Sequence, residues 1–176
     1  MRQCGVLRAE SVNEGFDWCK FIAMSPPPPG DNTVIITNGG GIGVIATDAS
    51  EKYGITLYDD AAMLKETFAS VTPDFGSTKN PIDITGQAGR TEYTLALDAA
   101  LNHKDMHAVM ALYCETAVFD SENLFRMIVE NSQKYREGGK PLVFSVFGGR
   151  KSRDCINQCR DQNIPVFGDV YEAVSC

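Results

Sequence analysis

Thr33-Val-Ile-Ile-Thr37 runs directly into Asn38-Gly39-Gly40-Gly41-Ile42-Gly43-Val44, and this stretch decides the fold. Five apolar or β-branched residues in a row read as a strand covered on both faces. The glycines behind them let the chain turn sharply. Ile42, Ile45, Ala46, Ala49 and Tyr53 then recur at helical spacing until Gly54 offers a left-handed stop. A strand that passes through a glycine turn into a helix is the opening unit of a parallel α/β sheet.

Working outward, Ile55 to Tyr58 is expected to be a second strand and Met63 to Val71 a helix, with Tyr93, Leu97, Ala100 and Leu101 marking another. Asn80-Pro81-Ile82-Asp83-Ile84-Thr85-Gly86 reads as a loop between them. Ala108 to Cys114 is almost wholly apolar, as a central strand is. A helix through Leu124, Phe125, Ile128, Val129 and Ser132 follows. Leu142 to Phe147, a helix through Ile156 and Cys159, Ile164 to Phe167 and a short Val170 to Ser175 helix finish the pattern. Right-handed crossovers then give a flavodoxin-like α/β fold with a five-stranded parallel sheet in the order 2-1-3-4-5.

Upstream, residues 1–24 read as a lead-in. It has a strand-like stub at Gly5-Val6-Leu7 and a helix from about Val12 to Met24, opened by Ser11 with Glu14 at capping-box spacing. Residues 25–31 hold four consecutive prolines, Pro26 to Pro29, which favour stiff extended backbone. The domain proper is therefore expected over 32–176.

The chain has 176 residues, 43% of them hydrophobic, which suits one domain. Its formal charge is -7 and its Lys and Arg residues are scattered, which argues against nucleic acid as a partner. No run approaches the roughly 18 apolar residues that a membrane-crossing helix needs, so a cytoplasmic protein with no membrane partner is expected. Six cysteines without a CxxC pair read as reduced thiols, and no metal site is expected.

The first glycine turn is the leading anion site. Asn38, Gly39, Gly40, Gly41 and Gly43 place main-chain amides and the positive end of a helix at the carboxyl edge of the sheet, where the strand order reverses. The central strand brings Glu115, Thr116 and Ala117 to the same edge. Glu115 and Asp120 would repel an anion unless turned away, so that loop either faces the anion or serves a partner or cation. Asp83 and Thr85 form a possible third loop of the site, or simply fix their own turn. Cys114 is either a nucleophile or core packing. His103 and His107 fall at the amino edge and are expected to be structural. A rival reading is a stand-alone nucleotide or dinucleotide module: Gly41-Ile-Gly-Val-Ile-Ala46 fits G-x-G-x-x-A, with Asp59 as the ribose ligand.

Five ordered segments carry a resemblance: Val34 to Val44, Asn80 to Gly86, Ala108 to Thr116, Lys140-Pro-Leu-Val-Phe-Ser-Val-Phe-Gly-Gly149 and Asn163-Ile-Pro-Val-Phe167. Together they resemble the carboxy-terminal ligase-CoA domain of ADP-forming acyl-CoA synthetases, and are similar to the carboxy-terminal domain of the succinyl-CoA synthetase β subunit. The lead-in from Arg2 to Ser11 resembles that family's connecting segment. The resemblance implies conversion of acyl-CoA, ADP and phosphate into acid, CoA and ATP through an acyl phosphate and a phosphorylated histidine. It implies that this domain shelters the phosphohistidine, with the Glu115 to Ser121 loop supplying one helix start. CoA, ADP/ATP and Mg2+ would belong to the complete enzyme, with CoA-binding, phosphohistidine and ATP-grasp domains as partners. Two departures stand out. Ile42 occupies a usual proline position, and neither His103 nor His107 lies in a Ser-His-Thr-Gly type motif, so the chain alone is not expected to turn over.

Overall fold

The computed structural model describes residue 4, residues 6–118 and residues 121–176. Gly5 of the expected stub and Phe119 and Asp120 of the second loop lie outside the described residues. Val6 and Leu7 are exposed and belong to no strand.

Five parallel strands, β1 (Thr33–Thr37), β2 (Ile82–Asp83), β3 (Ala108–Cys114), β4 (Leu142–Phe147) and β5 (Val166–Phe167), stand in the order β2-β1-β3-β4-β5. Seven helices accompany them among the described residues: α1 (Val12–Met24), α2 (Gly40–Tyr53), α3 (Ala61–Phe68), α4 (Arg90–Asn102), α5 (Ser121–Glu137), α6 (Arg150–Asp161) and α7 (Val170–Ser175). Alternation along β1 divides the core. Val34 and Ile36 join α3, α4, α5 and α6 on one face, while Ile35 joins α2 and α7 on the other. Gly54 has φ 72 and ends α2 as its sequence requires.

The expected order holds, but its second strand is a different segment. Ile55 to Tyr58 reaches β1 only through one bridge, Thr33 to Leu57, and the place beside Ile36 and Thr37 is taken by Ile82 and Asp83. The physical reason is Asn80. Its side chain fills the gap between the two short segments, accepting from the Ile35 N–H at 2.9 Å and donating to the Thr33 and Tyr58 carbonyls at 2.8 and 3.1 Å. One side chain thus stands in for missing strand backbone, and the supposed loop becomes the sheet edge.

The lead-in helix packs against the domain. The Trp18 indole N–H donates to Ser175 Oγ at 3.2 Å, and Phe21 packs on the α2 and α7 side of the core. Its start differs from a full capping box. Ser11 Oγ accepts from the Glu14 N–H at 3.1 Å, but the Glu14 carboxylate accepts from Glu10 rather than from Ser11. No helix among the described residues is long and apolar enough to cross a membrane.

Candidate functional site

At the carboxyl edge, β1 leads into α2 on one face while β3 leads toward α5 on the other, which opens the crevice expected of a reversal in strand order. Thr37, fully buried, holds the turn by accepting from the Gly39 N–H at 3.0 Å and donating to the Gly39 carbonyl at 3.1 Å. Asn38 spends both ends of its amide on Cys114, accepting from its N–H at 2.7 Å and donating to its carbonyl at 3.0 Å. Its side chain therefore ties the first turn to the central strand, and what faces the crevice is backbone.

The glycines have separate reasons. A Cβ on Gly39 would lie 2.9 Å from Cys114 Sγ, one on Gly40 would lie 3.0 Å from Asp83 Oδ2, and one on Gly43 would lie 3.1 Å from Pro81. Of the turn's glycines, only Gly41 faces open space, with nothing within 4 Å of such a Cβ. Gly40 and Gly41 are the first two residues of α2, so their N–H groups have no acceptor within the helix.

The Asn80 to Gly86 segment carries Asp83 and Thr85 to this edge. Asp83 pairs with Thr37 in the sheet, and its Oδ1 accepts from the Thr85 N–H at 2.9 Å while Oδ2 stands beside Gly40. Thr85 has φ 70, a left-handed conformation that a β-branched residue adopts at a cost of order 1–3 kcal/mol. Its hydroxyl is buried with no hydrogen-bond partner among the described residues, and the Thr116 hydroxyl shares that condition. The two segments meet around Gly86, whose added Cβ would lie 3.8 Å from both the Asn38 carbonyl and Thr116 Cγ2.

Glu115 turns away from this crevice. Its Oε2 accepts from the Gly149 N–H at 2.7 Å and from Ser152 Oγ at 2.8 Å, so the carboxylate caps α6. The Ser152 and Gly149 hydrogen bonds hold its pKa below the ordinary glutamate value. The like-charge objection to an anion near this loop is thereby reduced at Glu115. Ala117 is exposed beyond Thr116.

Sequence reasoning missed three supports: Asn80, the Gly148-Gly149-Ser152 cradle, and a buried tyrosine pair. Tyr93 and Tyr113 lie with ring centroids 6.2 Å apart beneath the edge, and the Tyr93 hydroxyl donates to the Leu112 carbonyl at 2.6 Å. Burial pushes both phenols up, opposed by main-chain hydrogen bonding from Asn38 at Tyr93 and from Thr116 at Tyr113. A tyrosine at an apolar helical position carries no mark in the sequence of where its hydroxyl ends. Cys114 is half-buried, and desolvation followed by the Asp83 charge raises its thiol pKa. Both influences oppose a nucleophilic thiolate.

His107 Nδ1 accepts from the Asn32 N–H at 3.1 Å and His103 Nδ1 from the Asp105 N–H at 3.2 Å, so both serve turns at the amino edge. Ile55 to Tyr58 pairs with the sheet through the single bridge of Leu57 to Thr33, so Asp59 does not end a paired strand, and the next residue, Asp60, caps α3. The G-x-G-x-x-A reading therefore lacks the strand end on which it set its acidic residue. Among the described residues, no three His, Cys, Asp or Glu side chains gather in a metal-binding arrangement.

Residues 33–174 fit the model of the Ligase-CoA domain. The chain belongs to the Ligase-CoA domain family. It is 45% identical over 175 residues to the alpha subunit of acetate–CoA ligase [ADP-forming] I of Pyrococcus furiosus, a match covering 98% of this chain and 37% of the relative. It is 30% identical to the 4-hydroxybutyrate–CoA ligase [ADP-forming] of Nitrosopumilus maritimus over 95% of this chain and 23% of the relative. Among solved structures, the dinucleotide-forming acetyl-coenzyme A synthetase 1 of Ca. Korarchaeum cryptofilum, determined with phosphate and ADP, superposes with a TM-score of 0.89 at 35% identity, covering 98% of this chain and 37% of that one. This Ligase-CoA chain thus spans well under half the length of these relatives. Their similarity extends through α1, which lies outside the 33–174 match.

Proposed function

We propose that this chain works as the Ligase-CoA domain of an ADP-forming acyl-CoA synthetase, and that its carboxyl edge shelters a phosphoryl group carried on a histidine of another domain. The supporting observation is the open N-terminus of α2 at Gly40 and Gly41, at the same edge as two buried threonine hydroxyls that have no hydrogen-bond partner among the described residues. Helix-start amides favour an anion, and hydroxyls lacking partners gain from any rearrangement that lets them donate to one.

Asp83 adds a condition. A carboxylate beside Gly40 repels a bare anion, so the incoming group must bring a donor of its own. A phosphorylated imidazole meets this condition, because the nitrogen that does not carry phosphorus can present an N–H. The domain's work is binding, orientation and exclusion of water. CoA, nucleotide and Mg2+ belong to the remaining domains, and the chain alone does not turn over. In a water-poor crevice each amide directed at the phosphoryl oxygens stabilises developing charge more than it would in bulk water.

The test is a chimera in which this chain replaces the matched 175 residues of the Pyrococcus furiosus subunit, assayed with the rest of that enzyme for ATP formation from acetyl-CoA, ADP and phosphate. Activity is expected, with a fall of roughly 100-fold in Gly41→Val, the order seen when a charge-stabilising contact is blocked. Because the Gly41 side points into open space, folding should be unaffected. An active chimera indifferent to Gly41→Val would overturn the site, and an inactive, folded chimera would overturn the function.

A further inference from the structure

The lead-in helix has an apolar face that none of the described residues covers. On a helical wheel, Val12, Phe16, Cys19 and Ala23 form one stripe flanked by Ile22, whereas Trp18 and Phe21 point the opposite way. The second group docks the helix through Ser175 and the core beside α7. The stripe remains in water: Val12 is 74% exposed, Phe16 70% and Ile22 69%, and Cys19 is exposed at its centre. Though most of its residues are apolar, α1 contains no buried residue. At its carboxyl end, Ile22 also borders an apolar hollow of about 790 Å³ between Pro26, Ile55, Val109 and Val174.

Single exposed apolar residues are ordinary, but a continuous stripe on a helix already fixed by its other face marks a contact surface. What covers it follows from length. The relatives share α1 with this chain yet are much longer, since the match takes up 37% of the Pyrococcus furiosus subunit and 37% of the Korarchaeum chain. The helix also lies outside the domain match at 33–174. It is therefore an element of the larger enzyme that the Ligase-CoA domain holds on its surface.

We infer that the Val12-Phe16-Cys19-Ile22 face is the seat of a neighbouring domain of the same synthetase, clamped with α1 between that domain and α7. This rests on the reading of the chain as one domain of a larger enzyme. The clamp holds the carboxyl edge at a set position relative to the domain that delivers the phosphoryl group.

Cys19 provides the test, in a Cys4→Ser background because Cys4 is also exposed. Alkylation of Cys19 by a maleimide, followed by peptide mass spectrometry, is measured in the isolated 176-residue chain and in the chimera. The isolated chain should react freely and the chimera roughly tenfold more slowly, as burial of a thiol demands. Phe16→Ser with Ile22→Ser should restore reactivity in the chimera while leaving the circular dichroism of the isolated chain unchanged. Equal rates in the two proteins would overturn the inference. Protection already present in the isolated chain, with a dimer mass by light scattering, would also overturn it by assigning the face to a second copy. Because the readout is thiol protection, it stands apart from the ATP-forming activity that tests the function.

Discussion

Replacing Asn80 with alanine removes three hydrogen bonds at once from the edge of the sheet. The Ile35 N–H, on a fully buried residue, loses its acceptor, and the Thr33 and Tyr58 carbonyls lose a donor. Thr33 is partly protected, because its carbonyl also accepts from the Tyr58 N–H at 2.9 Å. The cost therefore falls mainly on the Ile35 N–H and the Tyr58 carbonyl. At about 1–3 kcal/mol for each buried group left unpaired, and with partial entry of water, the loss should be about 2–4 kcal/mol. For a chain of this size that lowers Tm by roughly 5–15 °C. Urea unfolding followed by circular dichroism measures it, with Asn157→Ala on the exposed face of α6 as a control expected to stay within about 0.5 kcal/mol. Since Asn80 also anchors the segment that carries Asp83 and Thr85, the amide resonances of Thr85 and Gly40 should shift in the still-folded variant. A loss below about 1 kcal/mol with an unchanged denaturant slope would refute the argument, because water would then replace the side chain at little cost.

Glu115→Gln should remove part of the acid dependence of stability. Hydrogen bonds from Ser152 and Gly149 depress the folded-state pKa, so the carboxylate's contribution is present above the unfolded value and lost as pH falls through the folded one. The wild-type advantage in urea midpoint should therefore be full at pH 7 and shrink as the pH falls below the ordinary glutamate range; an advantage undiminished in acid would show that shape, not charge, makes the cap. Tyr93→Phe should cost about 1–3 kcal/mol, because the Leu112 carbonyl, on a fully buried residue, loses its donor, and urea unfolding measures this. A neutral Tyr93→Phe would mean that the two loops need no support from beneath.

The main strands and the helices that follow them were legible because their signals are local and repetitive. Thr33–Thr37, Ala108–Cys114 and Leu142–Phe147 are continuous apolar runs, and Gly54 ends its helix by a conformation that glycine adopts freely. The second strand was not legible. Ile55 to Tyr58 has the better strand composition, yet two residues of the Asn80 to Gly86 segment take the place beside Ile36 and Thr37. That choice depends on one side chain bonding to three distant main-chain groups, and spacing along the chain does not encode such a contact.

The site divides in the same way. Glycines after a strand announced a helix start at a sheet edge, and five ordered segments announced a family that the match over residues 33–174 shows. Which atoms face the crevice was settled only by folding. Asn38 is consumed by Cys114, Glu115 by α6, and Gly41 alone of its neighbours points into open space. The sequence by itself determined the order of elements and the edge at which they converge, because periodicity and turn chemistry act over a few residues. Tertiary structure decided which polar groups remain free there, because a hydrogen bond is claimed by whichever partner packing brings within 3 Å or so, at any distance along the chain.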